Sequence, residues 1–282
     1  MRNRKKGKTI RRASSIIYAC LIYIFLYLPI VVVIVFSFNT SKLNLQFEGF
    51  TFEWYWKMFE NKPLIDSFKN SIIVAVSSTF ISVVVGTIAS VGMYRYSFRG
   101  KGIIDSMLYI PIVIPEIILG ISLLMLFTAF NITLGMLTLV IAHVSFSLPF
   151  VIVTVRSRMA GFDRSIEEAA MDLGASPIRT FTRITLPIIA PGVVSGAMLA
   201  LTLSLDDVIV SFFTTGIKSK TFPIQIQGMV RTGVSPDVYA LSTLMIVGTI
   251  IIMILVNVFD KLADKKMYGE EKSIDEERVP FV

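Results

Sequence analysis

The chain has 282 residues, of which 54% are hydrophobic and 17% are charged, and its mean hydropathy is +0.72. Because water-soluble domains contain about 45–50% apolar and about 25% charged residues, this composition excludes an ordinary soluble globular protein. The net charge of +7 does not indicate nucleic-acid binding, because the basic residues lie between long apolar runs. In that position they set membrane orientation, so no nucleic acid is expected as a partner.

Six apolar runs follow one another along the chain, each near the roughly 20 residues that a membrane-spanning helix needs. They predict spans at about 16–38, 70–93, 106–129, 134–155, 188–213 and 238–259. Because the runs are continuous and do not alternate, helices are favoured over a β-barrel. A basic head, 1–15, precedes the six-span domain, 16–259, and a charged tail, 260–282, follows it. The first run is too long for a secretory signal, so it is predicted to remain as a span.

Basic residues are distributed unevenly between the two alternating sets of segments outside the spans. Of the 27 Lys and Arg residues, 20 lie in one set, which consists of 1–15, 94–102, 156–183 and 260–282. Cytoplasmic segments carry the excess of positive charge in membrane proteins. Both termini and the segment 156–183 are therefore predicted to be cytoplasmic, and the segments 39–69 and 214–236 are predicted to lie outside.

Three carboxylates lie within the predicted spans: Glu116 in the third, and Asp206 and Asp207 toward the outer end of the fifth. Carboxylates are costly in a membrane and normally face a cavity or a partner. Two roles stay open: attraction of a cationic solute along a transport path, or, above all for Asp207, capping of a helix end or pairing with a partner subunit. Pro111 and Pro115 are expected to kink the third span.

No metal site and no catalytic site are predicted. His143 is the single histidine, and no second metal ligand lies at a suitable spacing, so we expect a packed, hydrogen-bonded residue. The sequence Gly7-Lys8-Thr9 lacks the earlier glycine of an ATP-binding P-loop, because Arg2 stands at that position. Paired catalytic motifs such as His-Glu-x-x-His and Gly-x-Ser-x-Gly do not occur either. The chain is therefore not predicted to be an enzyme.

The cytoplasmic segment between the fourth and fifth spans has the pattern of two short helices that meet at a glycine. Asp163 is a suitable N-cap for the first helix, and Gly174 stands where a helix ends. Ser176-Pro177 has the pattern of an N-cap followed by proline at the first helical position. One face of the first helix is apolar and would fit a groove on a cytoplasmic partner, with charged residues beside it for docking. The apolar residues are Ile166, Ala169, Ala170 and Leu173, and the charged ones are Glu167, Glu168 and Asp172.

This segment resembles the EAA loop of binding-protein-dependent ABC importer permeases. The match consists of Glu168-Ala169-Ala170, three residues, Gly174, nine residues, and Ile184-x-Leu186-Pro187. The resemblance implies an all-α integral membrane protein with six transmembrane helices and the type I ABC importer permease fold. It also implies that loop 160–187 couples the chain to an ATPase. The residues it assigns to coupling are Glu167, Glu168, Ala169, Ala170, Asp172, Gly174, Ala175 and Pro177.

The same resemblance implies the partners of the chain. They are a second permease subunit, a dimer of ATPase subunits and an extracellular substrate-binding protein, assembled in the lipid bilayer of the bacterial cell membrane. ATP and Mg would be bound by the ATPase, and no cofactor is expected on this chain.

Further stretches resemble the spermidine/putrescine subgroup of these permeases. They are 94–101, 148–150, 203–208, 233–238 and 240–243, and the likeness as a whole extends over roughly 15–260. Permeases for other solutes share part of these stretches, so an ABC permease for another small solute stays open. An ion-coupled secondary carrier is a weaker alternative, because no inverted repeat with broken helices is visible.

Overall fold

The computed structural model describes residues 2–42, 46–230 and 233–277, and within them the chain is helical. The helices, in chain order, are α1 Arg2–Phe36, α2 Glu53–Glu60, α3 Lys62–Arg95, α4 Lys101–Val113, α5 Glu116–Ala129, α6 Met136–Met159, α7 Ser165–Asp172, α8 Pro177–Thr180, α9 Leu186–Asp206, α10 Ile209–Thr214, α11 Phe222–Met229 and α12 Pro236–Glu277. A π-helical turn, Phe181–Thr185, joins α8 to α9. One isolated antiparallel bridge pairs Asn39 with Phe50.

Contacts divide the chain into two compact units, Met1–Lys62 with Met229–Met253, and Pro63–Gly228 with Ile254–Val282. In the first unit, the bridge after α1 is organised around the buried side chain of Asn39. Its amide nitrogen donates to Gln46 O (2.7 Å), and its amide oxygen accepts from Glu48 N (2.9 Å). Trp54 of α2 donates from Nε1 to Asn39 O (2.6 Å). These hydrogen bonds satisfy the buried polar atoms of Asn39 without regular strands.

Five helical segments are long and apolar enough to cross a membrane: Ser15–Phe36, Lys62–Arg95, Met136–Met159, Pro177–Asp206 and Pro236–Val256. The pair α4 and α5 counts as a sixth when it is taken as one bent span. The predicted all-helical, six-span class is therefore confirmed. Helix α12 continues from the last span through residues 260–277 of the predicted tail, and residues 278–282 lie outside the described part.

The third predicted span, 106–129, is broken and not merely kinked. Helix α4 ends at Val113, α5 begins at Glu116, and the two are bent by 109°. Ile114 is extended, with φ −65° and ψ 135°, because the ring of Pro115 disfavours helical geometry in the preceding residue. Pro115 also has no N–H to donate to a helical hydrogen bond. Both effects of the proline therefore interrupt the helix at the same position.

The fifth predicted span, 188–213, is interrupted as well. Helix α9 ends at Asp206, Asp207 is extended with ψ 125°, and the short helix α10 follows from Ile209. No proline stands at this point. The break is instead stabilised by the side chain of Asp207, which accepts hydrogen bonds from Val210 N (3.2 Å) and Ser211 N (2.7 Å) in the first turn of α10.

Helices α3, α6 and α9 pack closely through small and β-branched side chains. Val151, Val155 and Ile189 are buried in one cluster at the contact of α6 with α9. Between α3 and α6, the hydroxyls of Ser82 and Ser147 lie 2.8 Å apart, and Ser90 donates to Ile152 O (3.1 Å). Such close approach and interhelical hydrogen bonds are what hold helices together in lipid, where hydrophobic burial contributes little.

Gly86 of α3 tests this close packing. A Cβ at Gly86 would lie 2.8 Å from Val151 Cγ1 and 3.1 Å from Val151 Cβ, whereas at Gly92 of the same helix nothing lies within 4 Å. We expect Gly86→Ala to destabilise the folded protein by about 1–3 kcal/mol, because the stiff valine cannot turn away. The matched change Gly92→Ala should be neutral or stabilise by up to about 1 kcal/mol, since alanine favours helices.

The unfolding midpoint in detergent would measure both variants. Equal midpoints for the two would contradict the close α3–α6 contact.

Candidate coupling loop and membrane cleft

The two helix breaks face one cleft in the second unit. Its volume is about 460 Å³, and Glu116, Asp206 and Asp207 all line it, although Glu116 is 90 residues before Asp206 in sequence. The aromatic rings of Phe146 and Phe150, from α6, form part of its wall. The structure therefore brings together all three carboxylates that the sequence singled out.

Glu116 and Asp206 differ in electrostatic setting. Glu116 is the first residue of α5, where the free N–H groups and the helix dipole favour a negative charge. Asp206 is the last residue of α9, where the dipole and the free carbonyl groups oppose a negative charge. Both residues are exposed, and both line the cleft. A cation bound beside Asp206 would relieve this unfavourable arrangement.

Asp207 has a structural role that accounts for its carboxylate. Its side chain is buried, and its two oxygens accept the hydrogen bonds from the first turn of α10 described above. These bonds are helix capping, which is one of the roles that the sequence left open for Asp207. Its place on the cleft is compatible with a contact to solute, but its bonds tie it first to the backbone.

His143 is buried in α6, and it bridges the break between α9 and α10. Its Nδ1 lies 2.6 Å from Ser204 Oγ in α9, and its Nε2 lies 2.9 Å from Ser211 Oγ in α10. Asp207 Oδ2 is 3.6 Å from the same Nε2. The predicted packed, hydrogen-bonded histidine is observed, and no group of residues that could hold a metal occurs in the described part of the chain.

The loop 160–187 has the predicted two-helix form. Helix α7 ends in a Schellman motif: Gly174 N donates to Met171 O (2.9 Å) and Ala175 N donates to Ala170 O (3.0 Å), with Gly174 at φ 87°. Ser176 caps α8 by accepting from Arg179 N (3.4 Å).

At the start of the loop, helix α7 begins one residue later than an Asp163 cap implies. Asp163 accepts from Ser165 N (2.9 Å), and this hydrogen bond, with a second from the Ser165 hydroxyl, lowers the pKa of Asp163 below its usual value. The residue immediately before α7 is Arg164, whose side chain makes no capping bond.

Most residues assigned to coupling face outward, and one does not. Glu168, Ala169, Asp172, Gly174 and Pro177 are exposed, and Ala170 and Ala175 are half-buried. Apolar side chains beside them are also exposed, above all Leu173 at 90% and Ile178 at 77%, with Ile166 and Met171 exposed to a smaller degree. Glu167, in contrast, is only 5% exposed. Its carboxylate is therefore not available for docking.

Residues that the sequence analysis did not single out enclose Glu167. Arg95, at the end of α3, forms an ion pair with Glu167 and donates from the same Nη2 to Thr185 Oγ1 (2.9 Å). Thr185, at the end of the π-helical turn, donates its hydroxyl proton to Glu167. In the sequence, Arg95 is one of the basic residues that set orientation and lies in the stretch 94–101, but nothing local indicates a partner 72 residues away.

A family model described as "Binding-protein-dependent transport system inner membrane component" matches residues 82–268. The chain belongs to this family, so it is a multi-pass permease of the inner membrane and not an enzyme, with ATP hydrolysis on a separate subunit. The resemblance inferred from the loop is thereby confirmed.

Three curated relatives have names that are more specific than the description of the family. The spermidine/putrescine transport system permease protein PotC of Haemophilus influenzae is 42% identical over 215 residues, which cover 76% of this chain and 84% of the relative. PotC of Escherichia coli K12 is 41% identical over 233 residues, with coverage of 83% and 88%. The putrescine transport system permease protein PotI of E. coli K12 is 40% identical over 214 residues, with coverage of 73% and 76%.

Solved structures with the same fold are ABC importers. A bacterial ABC transporter involved in import of the acidic polysaccharide alginate matches with a TM-score of 0.65 at 16% identity, covering 89% of this chain and 96% of the other. The MetNI methionine transporter matches with a TM-score of 0.59 at 16% identity, covering 71% and 95%. The chain thus has the type I ABC importer permease fold.

Gly174 gives a test of the loop's backbone geometry. At φ 87°, a residue with a Cβ costs about 1–2 kcal/mol, with asparagine tolerated best and β-branched residues worst. Transport by the Gly174 variants should therefore decrease in the order glycine, asparagine, alanine, valine. Gly161→Ala, in the turn before α7 where nothing lies within 4 Å, should transport normally.

Solute uptake normalised to the amount of protein in the membrane would measure this series. An asparagine variant that transports less than the alanine variant would show that side-chain size, and not backbone conformation, is decisive.

Proposed function

We propose that this chain is a permease subunit of an ABC importer for polyamines such as spermidine and putrescine. The observation that carries the proposal is the cleft, in which Glu116 and Asp206 face a cavity walled by Phe146 and Phe150. Carboxylates attract the ammonium groups of a polyamine, and aromatic faces attract cations further. The names of the relatives that are about 40% identical point to the same solutes.

The solute path would lie between this chain and a second, PotB-like permease, and alternating access would move the solute along it. A dimer of PotA-like ATPase subunits would bind ATP and Mg, and this chain would need no cofactor. A PotD-like extracellular protein would deliver the solute to the outer segments 39–69 and 214–236. Both termini would be cytoplasmic, as the distribution of basic residues indicates.

The cytoplasmic loop would seat in a cleft of the ATPase through its uncovered ridge. The ridge consists of the apolar side chains of Ile166, Leu173 and Ile178, which are unfavourably exposed to water. Glu168 and Asp172 lie beside it. A short helix that presents such a ridge fits a groove on a partner.

Uptake of radiolabelled spermidine and putrescine tests the function directly. In cells without other polyamine importers, deletion of this chain should abolish uptake and its restoration should recover it. Unchanged uptake would exclude polyamines and favour an ABC permease for another small solute. Uptake that persists without the ATPase subunits would instead favour an ion-coupled carrier.

The cleft carboxylates give a sharper prediction. Neutralising Glu116 to Gln or Asp206 to Asn should raise the KM for spermidine uptake at least about tenfold, which corresponds to about 1.4 kcal/mol. Glu116→Asp and Asp206→Glu, which keep the charge, are the matched controls and should lose much less. Equal losses in the neutral and the charge-preserving variants would show that shape, and not charge, is recognised.

A further inference from the structure

The cluster of Arg95, Glu167 and Thr185 joins three elements that are separate in sequence. Arg95 is the last residue of α3, Glu167 lies in the first turn of α7, and Thr185 ends the π-helical turn that leads into α9. Thr185 accepts from Arg95 and donates to Glu167, so the three side chains form a closed ring of hydrogen bonds. The side chains of Arg95 and Glu167 are 21% and 7% exposed, and Thr185 is fully buried.

A buried ion pair of this kind restricts movement more than an exposed one. Removing one partner leaves the other charge buried and uncompensated, so the pair separates only at a large cost. Water competes little for the interaction at this level of burial. The first turn of α7 is therefore held firmly to the end of α3.

A second set of contacts repeats the connection one residue earlier in α3. Arg164 donates to Tyr94 O, and its guanidinium group lies 4.8 Å from the centre of the Tyr94 ring. Tyr94 donates its hydroxyl proton to Phe162 O (3.0 Å). Two consecutive residues at the end of α3, Tyr94 and Arg95, thus both bind the start of the loop.

The loop is continuous through the main chain with α6 at its start and with α9 at its end, whereas α3 is held to it by side-chain contacts such as these. We propose that Glu167 is a positioning residue that makes α3 move together with the coupling loop, so that displacement of the loop by the ATPase reaches α3 as well as α6 and α9. The proposal rests on the function proposed above. The two adjacent carboxylates then have different roles: Glu168 faces the ATPase, and Glu167 faces α3.

The experiment uses the whole importer, purified through this chain and reconstituted with its loaded binding protein. The quantity measured is the number of ATP molecules hydrolysed per spermidine molecule transported. We expect Glu167→Gln to raise this ratio at least about fivefold, the lower end of usual coupling effects, while the complex still assembles. A purely structural role would lower assembly, hydrolysis and transport together and leave the ratio unchanged.

Two further variants keep the test decisive. The exchange Arg95→Glu with Glu167→Arg restores opposite charges and should bring the ratio back toward that of the wild type. Thr185→Val replaces the hydroxyl by a methyl group of similar size, so it should raise the ratio even if Glu167→Gln assembles poorly. Asp105→Asn, which breaks the ion pair of α4 with Arg156 in α6, is the matched control and should leave the ratio unchanged.

Spin-label distances give an independent readout. With Cys20 replaced by serine, labels at Ser97, just after α3, and at Met171, in α7, should stay at a fixed separation when ATP binds. In Glu167→Gln the distance distribution should broaden. If Glu167→Gln and Thr185→Val both leave the ratio of ATP hydrolysed to spermidine transported and the distance distribution unchanged, this inference is overturned. The proposed function would then still stand. A wild-type complex whose ATPase does not respond to the loaded binding protein would overturn the proposed function and the inference with it.

Discussion

The absence of water in the bilayer interior is the constraint on which this structure depends. Each backbone N–H and C=O within the hydrocarbon must find a partner in the protein, so a span can be interrupted only where the freed groups are satisfied. At the first break, Ile118 N donates to Pro115 O (2.9 Å) and Ile114 N still donates to Ile110 O (3.0 Å). At the second, the carboxylate of Asp207 accepts two N–H groups. Both breaks line the same cleft, which is where irregular backbone is tolerated and useful.

The remainder of the second unit is a scaffold that holds the cleft in shape. In lipid, the hydrophobic effect does not drive helices together, so close packing and interhelical hydrogen bonds must stabilise the bundle. Glycines at 86, 192 and 196 allow the backbones to approach, and serine hydroxyls link α3 to α6. His143 then fixes the second break by bonding to the helices on both of its sides.

Helix α9 connects the two candidate sites. The helical segment from Pro177 to Asp206 has 30 residues, which corresponds to about 45 Å at 1.5 Å per residue. One end lies in the loop that we propose docks on the ATPase, and the other end carries a carboxylate of the cleft. The π-helical turn after α8 places Thr185 beside Glu167, so the loop end of this helix is also bound to α3. One continuous helical segment thus joins the loop to the cleft.

The sequence alone determined the features that follow from local pattern. Run lengths predicted the spans, and Gly174 and Ser176-Pro177 predicted the two-helix loop, because helix length, capping and proline geometry are decided by residues a few positions apart. The motif at Glu168-Ala169-Ala170 identified the family for the same reason. What the sequence could not determine is which distant side chains meet. Glu116 and Asp206 share a cleft, His143 bonds to Ser204 and Ser211, and Glu167 turns inward to Arg95 only because the helices pack in one particular arrangement. That arrangement is set by contacts summed over the whole helix bundle, so only the tertiary structure decided which carboxylates line the cleft and which one anchors the loop.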